Sequence, residues 1–273
     1  MRNNKNLKNI LKASTMLAGL AFGAMEAGAV PAQRTTQNGG AAVLSTGAEL
    51  DNPFVNSDEI KFGAVQDLNV DVEDANIAAI DLDDLALNGK TIVVSENATI
   101  GSIALNAGNP GTPARAIKLT LADNKTLTFS GTASSAAGGV VANNYAGLGE
   151  TTLGDGSTLK ITSTGADFAN ATINGTAPGR GTIVISDAGN TFSKAIGGAA
   201  AIAKLEVNAA NTTFSEDVKT KALVLGSTGV MKIADGKTLD LVGNATGTIT
   251  GAGTLTAVGD LTIQNFKAIG EAA

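Results

Sequence analysis

The chain has 273 residues with 34 Gly, eight Phe and one Tyr, and it contains no Cys, His or Trp. Without His or Cys, Ser-His-Asp and Cys-His nucleophilic catalysis, thiolate chemistry and zinc sites are excluded, and no disulfide or Cys-borne lipid anchor is expected. The formal net charge is −6, and −9 once Arg2, Lys5, Lys8, Lys12 and Glu26 of the N-terminal segment are set aside, so neither nucleic acid nor an anionic membrane surface has an electrostatic reason to bind.

Residues 1–29 read as an export signal. Arg2, Lys5, Lys8 and Lys12 form a basic start, Thr15 to Met25 an apolar stretch, and Ala27-Gly28-Ala29 a cleavage site of small residues. No later segment reaches about 18 consecutive apolar residues, so no membrane helix is expected. Residues 30–57 are polar and Gly-rich, without a sustained period, and read as a flexible or N-terminal capping segment.

From residue 58 onward, short alternating stretches follow at intervals of roughly ten residues, each bounded by Gly, Asn or Asp. They are KTIVV (90–94), AIKLTL (116–121), KTLTFS (125–130), STLKIT (157–162), GTIVIS (181–186), AKLEVN (203–208), KALVLG (221–226), VMKIAD (230–235), KTLDLVG (237–243) and GTLTAVG (253–259). Alternation of β-branched residues and Leu with polar ones predicts strands with one face inward. Outside the signal, only KAIGGAAAIAKL (194–205) has helix-compatible composition, and Gly197-Gly198 interrupts it.

One turn-to-strand motif recurs: Asn88-Gly89-Lys90-Thr91-Ile92-Val93-Val94, Asp123-Asn124-Lys125-Thr126-Leu127-Thr128-Phe129, Asp155-Gly156-Ser157-Thr158-Leu159-Lys160-Ile161 and Asp235-Gly236-Lys237-Thr238-Leu239-Asp240-Leu241. A second, shorter pair is Asn190-Thr191-Phe192-Ser193 and Asn211-Thr212-Thr213-Phe214-Ser215. The Gly or Asn supplies a residue tolerant of φ > 0 and Thr enters the strand. Such a unit fits a hairpin or a solenoid corner. Few long polar loops and few aromatic positions favour the solenoid, with an interior of small aliphatic side chains. Irregular offsets imply a degenerate repeat of some 16–20 residues; at roughly 20 per turn and about 4.8 Å per turn, some 210 residues would give a rod near 50 Å long.

The Gly89-Lys90-Thr91 triplet resembles the tail of a phosphate-binding loop. Such a loop needs Gly five residues before its second Gly and a helix after it. Asp84 and Met231 occupy that place before Gly89 and Gly236, and a strand is predicted where the helix should start. No nucleotide is expected. The remaining chemistry lies in the carboxylates Asp71, Glu73 and Asp74, and Asp81, Asp83 and Asp84. If strand alternation continues, Asp71 with Glu73, or Asp81 with Asp83, share a face that could hold Ca²⁺ or act as an acid/base pair. The simpler reading is a solvated face opposite inward Val70, Val72, Ile80 and Leu82. Arg115 and Arg180 are isolated cations beside turns, suited to an anion or glycan contact or to plain surface charge.

The N-terminal segment, the stretch NTFSKAIGGAAAIAKLEVNAANTTFSEDVKTKALVLG (190–226), DNKTLTFSG (123–131) and GKTLDLVG (236–243) together resemble the passenger region of autotransporters. The likeness is to the rickettsial surface-antigen group of the outer-membrane-protein-B type. That resemblance implies a right-handed parallel β-helix outside the cell, acting as an adhesin and surface-layer component in contact with host cells. Passengers of the family are followed by a C-terminal barrel. The ending NFKAIGEAA lacks an aromatic terminal residue and amphipathic strands of that kind, so the expectation is either a truncated or split passenger, with a translocator barrel in trans or downstream, or arrival at the surface by other means.

The sequence therefore predicts an all-β fold, a right-handed parallel β-helix (β-solenoid) with degenerate turn-strand repeats over 58–273. The expected function is that of a non-enzymatic, exported protein of the cell surface or outer membrane. Its expected partner is a host-cell surface protein or glycan; no catalytic, cofactor-binding or metal residue is nominated, and no cofactor. The alternative is a β-helical polysaccharide lyase or hydrolase using carboxylates of 71–84.

Overall fold

Where β-branched residues or Leu alternate with polar ones, the backbone is extended and the apolar set turns inward. All ten alternating stretches named above contain strands, from Thr91–Val94 to Thr254–Ala257. In Thr126–Phe129 the side chains of Leu127 and Phe129 are buried and those of Thr126 and Thr128 half-exposed. The coordinates are a computed structural model. They describe residues 33–270 apart from 36–40, 44–53, 57, 63–66, 83–89, 106–116, 132–144, 146, 243–247, 252, 258–260 and 265–267. The proposed signal at 1–29 lies outside the described residues.

The strands form four sheets. Sheet one holds Gln33–Thr35, Glu59–Phe62, Ala79–Leu82 and Ile103–Leu105; sheet two holds Ala41–Val43, Asp67–Val70, Thr91–Val94, Ile117–Leu121, Leu148–Leu153 and Thr172–Gly175. Sheet three runs from Ala75–Ile77 through Ala98–Ile100, Thr126–Phe129, Thr158–Ile161, Arg180–Ile185 and Ile202–Val207 to Val218–Leu225, then through Lys237–Leu241 to Leu261–Gln264. Thr248–Gly251 and Ala268–Gly270 continue it from the second half of Val218–Leu225. Sheet four holds Asp167–Phe168, Thr191–Phe192, Thr212–Phe214, Val230–Ile233 and Thr254–Ala257.

Every strand pairing among the described residues is parallel, which excludes the hairpin. No helix occurs among them. The one helix-compatible stretch instead gives a bridge at Ile196 between Ile173 and Val218, then the strand Ile202–Val207. Gly197 explains the choice: it sits at φ 71°, and a Cβ there would lie 2.2 Å from the Lys219 carbonyl oxygen.

The chain passes from sheet two to three to one at residues 67–82 and again at 91–105, and from two to three to four at 148–168 and 172–192. Tyr145 and Gly147 join the two regimes: the Gly147 amide donates to the Ile103 carbonyl of sheet one at 3.1 Å, and the Tyr145 amide to the Asp167 carbonyl of sheet four at 3.3 Å. Register partners are spaced unevenly along the chain. Lys204 faces Ala222 across a short connection, whereas Thr126 faces Thr158 across a much longer one. The repeat is thus longer and looser than the motif offsets suggest.

The core is one cluster of buried Ile, Leu, Val and Ala from Ala42 to Leu241. The expected interior of small aliphatics alone is corrected by a buried column of five aromatic residues, more than half of those in the chain. Phe129 meets Tyr145 at 4.5 Å between ring centroids. Tyr145 stacks on Phe168 at 5.0 Å, Phe168 on Phe192 at 4.7 Å and Phe192 on Phe214 at 5.0 Å, within 6° of parallel in each case. Parallel in-register pairing of Phe168 with Phe192 and Phe192 with Phe214 produces the stack directly. At its end, the Tyr145 hydroxyl donates to the Gly101 carbonyl at 2.8 Å, accepts from the Gly131 amide at 3.2 Å and lies 3.0 Å from Ser163 Oγ.

Candidate functional site

The recurring turn motif is the starting point. At its corners Asn124, Gly156 and Gly236 take φ of 58°, 63° and 67°, the left-handed conformation anticipated from their residue types. Leu87 to Gly89 lie outside the described residues. In the first copy Lys90 is buried and leads into a strand, with Ile92 and Val94 fully buried. Burial holds the Lys90 ammonium below its usual pKa.

The copies at Lys125 and Ser157 stack on each other, Thr126 facing Thr158, while the copy at Lys90 enters sheet two and the others sheet three. The change of sheet sets the first copy apart, and among the copies in sheet three the spacing varies with the length of the connections.

A second motif completes the first. Lys125 Nζ pairs with Glu96 Oε2, and Asn97 Oδ1 accepts from the Thr126 amide at 2.8 Å. Lys237 Nζ likewise pairs with Glu216 Oε2 at 2.6 Å, and Asp217 Oδ1 accepts from the Thr238 amide at 2.8 Å. In both, a Ser-Glu-[Asn/Asp] run (95–97, 215–217) latches the Lys-Thr of the next copy of the sheet. The run repeats visibly in the sequence, but sequence reasoning missed its partner because the two halves of each latch lie far apart along the chain. Where the motif has Ser157 the site is closed to solvent, and its hydroxyl donates instead to the Gly154 carbonyl at 2.8 Å.

The first latch is the more elaborate. Asn97 Nδ2 donates to Glu73 Oε1 at 2.7 Å, and Lys125 Nζ lies 4.0 Å from Glu73 Oε2. Lys125 first, and a hydrogen bond with Glu73 second, hold the Glu96 carboxyl below its usual pKa, while Glu96 raises that of Lys125.

Asp71 to Asp74 form a turn after the strand Asp67–Val70 rather than a strand continuing it. The expected common face of Asp71 and Glu73 is therefore replaced by a corner, with Asp74 at φ 54°. Val70, Ile80 and Leu82 are buried and Val72 packs partly buried against the core. Asp81 lies on sheet one opposite Lys61, so the two acidic groups belong to different parts of the fold. Asp83, Asp84 and Arg115 lie outside the described residues. Arg180 forms an ion pair with Asp155 at 2.9 Å and so braces the corner at Gly156.

Beside the first latch is an open pocket of about 260 Å³ lined by Asp74, Asn97, Ala98, Thr99, Thr126 and Thr128. Its lining offers one carboxylate, one carboxamide, three threonine hydroxyls and the threonine methyl groups, while the Ala98 side chain belongs to the core. Thr99 and Thr128 are register partners on adjacent strands, and Thr126 lies two positions before Thr128 on the same strand. Asn97 is fixed at both ends by Glu73 and Thr126. Among the described residues no group of three or more acidic side chains is placed to hold a metal ion. Comparison with known proteins gives no matching family model, curated protein or solved structure.

Proposed function

We propose that the chain is an exported, non-enzymatic surface protein of the autotransporter-passenger type, an adhesin or surface-layer component that meets a host-cell surface protein or glycan. Its parallel strands are read as successive turns of a right-handed parallel β-helix. The observation that carries this reading is the cyclic passage of the chain through the sheets, each strand pairing in parallel with one from the next passage. Right-handedness follows from the general rule for parallel crossovers. Such a fold needs no disulfide, separates a packed interior from long ladders of outward side chains, and offers those ladders as a binding surface.

The fold reading is tested by cysteine pairs at Thr128/Lys160 and Thr191/Thr213. Thr128 and Lys160, and Thr191 and Thr213, are register partners, and neighbouring strands lie about 4.8 Å apart, within disulfide reach. Both pairs should oxidise spontaneously; failure of both refutes the stacking. The functional reading is tested by expressing the chain with and without residues 1–29 beside a translocator barrel. External protease should degrade the former on intact cells, and those cells should adhere to host cells. Cytoplasmic retention of the former sinks the proposal. Glycan cleavage lost on Asp81→Asn would favour the lyase or hydrolase instead.

A further inference from the structure

We propose that the pocket beside the first latch is a subsite for one neutral sugar ring of a glycan. This rests on the reading of the chain as a surface-binding protein and names the ligand class for it. The volume is the first argument. About 260 Å³ is just below the roughly 300 Å³ at which pockets for drug-sized ligands begin, so the space suits a single ring rather than an extended chain.

The lining is the second argument. Three threonine hydroxyls can each donate or accept, the Asp74 carboxylate accepts, and the Asn97 carboxamide offers both functions. The threonine methyl groups supply small apolar patches between them. Alternating hydroxyls and C–H faces are the complement of such a surface. Asp74 is exposed and Thr99, Thr126 and Thr128 are half-exposed, so their polar atoms are within reach of a ligand.

Charge selects among sugars. Asp74, Glu73 and Glu96 stand at or beside the pocket against Lys125 and Lys160, the latter being the exposed register partner of Thr128, which leaves one negative charge in excess. The residual negative charge disfavours uronic acids, sialic acids and sulfated rings, leaving neutral hexoses and N-acetylhexosamines. The latch contributes preorganisation. Asn97 is held before any ligand arrives, and the Lys125–Glu96 pair fixes the strand entry that carries Thr126 and Thr128, which lowers the ordering cost of binding. A single ring on so open a site should bind in the millimolar range.

The test uses the full chain and saturation-transfer-difference NMR with methyl glycosides of glucose, galactose, mannose and N-acetylglucosamine, and with glucuronate as the anionic probe. At least one neutral glycoside should bind with a millimolar Kd and glucuronate at least tenfold more weakly. Asp74→Asn, which tolerates the positive φ equally well, and Thr128→Val, which keeps the shape and removes the hydroxyl, should each weaken binding about tenfold. Thr213→Val on sheet four should leave it unchanged. No binding by any neutral glycoside, equal binding of glucuronate, or binding indifferent to both pocket variants overturns the proposal. Host-cell adherence measured on the same preparations separates the two readings: adherence without glycoside binding removes the pocket and leaves the adhesin, and glycoside binding without adherence does the reverse.

Discussion

Replacing Phe192 probes the aromatic column at its most enclosed point. Its side chain is fully buried and stacks on both faces, against Phe168 at 4.7 Å and Phe214 at 5.0 Å. Phe192→Leu keeps most of the apolar volume and removes two ring pairs; at about 0.5–1.5 kcal/mol each, that predicts a loss of about 1–3 kcal/mol. Phe192→Ala also opens a cavity between two rings that strand pairing holds in place, and large-to-small changes of this kind cost about 3–5 kcal/mol. Urea unfolding followed by far-ultraviolet circular dichroism measures both, with the slope checked for a retained cooperative transition. The ordering wild type, Leu, Ala is expected. An Ala variant within about 1 kcal/mol of wild type would refute a packed column, because neither cavity nor lost stacking fits so small a change.

The remaining expectations concern the latch, the tyrosine and the corners. Glu96 has its folded pKa depressed below 4.5 by Lys125 and then Glu73, so its contribution is present above pH 4.5 and disappears as pH falls through the folded value. The difference in melting temperature between wild type and Glu96→Gln should close on acidification and persist at neutral pH. Lys125 is shifted upward from 10.5, so its contribution holds below that pH and is lost as pH rises past the folded pKa. Tyr145, the chain's single Tyr, has its hydroxyl pushed up to about 12 chiefly by burial. Its phenolate absorbance should therefore develop near pH 12 in the folded state, with stability declining from pH 10 upward. Tyr145→Phe should cost about 1–3 kcal/mol in urea, since it leaves buried backbone groups unpaired. Gly236→Ala meets open space and carries only left-handed strain of about 1–2 kcal/mol. Gly197→Ala adds a backbone clash and should lose distinctly more.

Much of the fold was legible because strand and corner are local matters. Thr126 to Phe129 alternate, and Asn124 is a residue that accepts positive φ, so both the strand and the turn follow from a few neighbouring side chains. Which sheet a strand joins depends on the length of chain between corners. Lys90 and Lys125 share a motif yet enter different sheets, and nothing within the motif itself distinguishes them. The aromatic column was hidden for a related reason. Phe129, Tyr145, Phe168, Phe192 and Phe214 are unevenly spaced, and only the two Asn-Thr runs before Phe192 and Phe214 hint that rings align. The pocket escaped notice because Asp74, Asn97 and Thr126 come from three passages of the chain, and each alone is an ordinary corner or strand residue.

The uneven register has an evolutionary consequence. The connection from Lys204 to Ala222 is far shorter than that from Thr126 to Thr158, yet the inward Leu205 and Leu223 align as well as Leu127 and Leu159 do. Length is thus decoupled from alignment. A lineage can lengthen, shorten or rewrite the segments between strands while the hydrophobic alignment beneath stays unaltered.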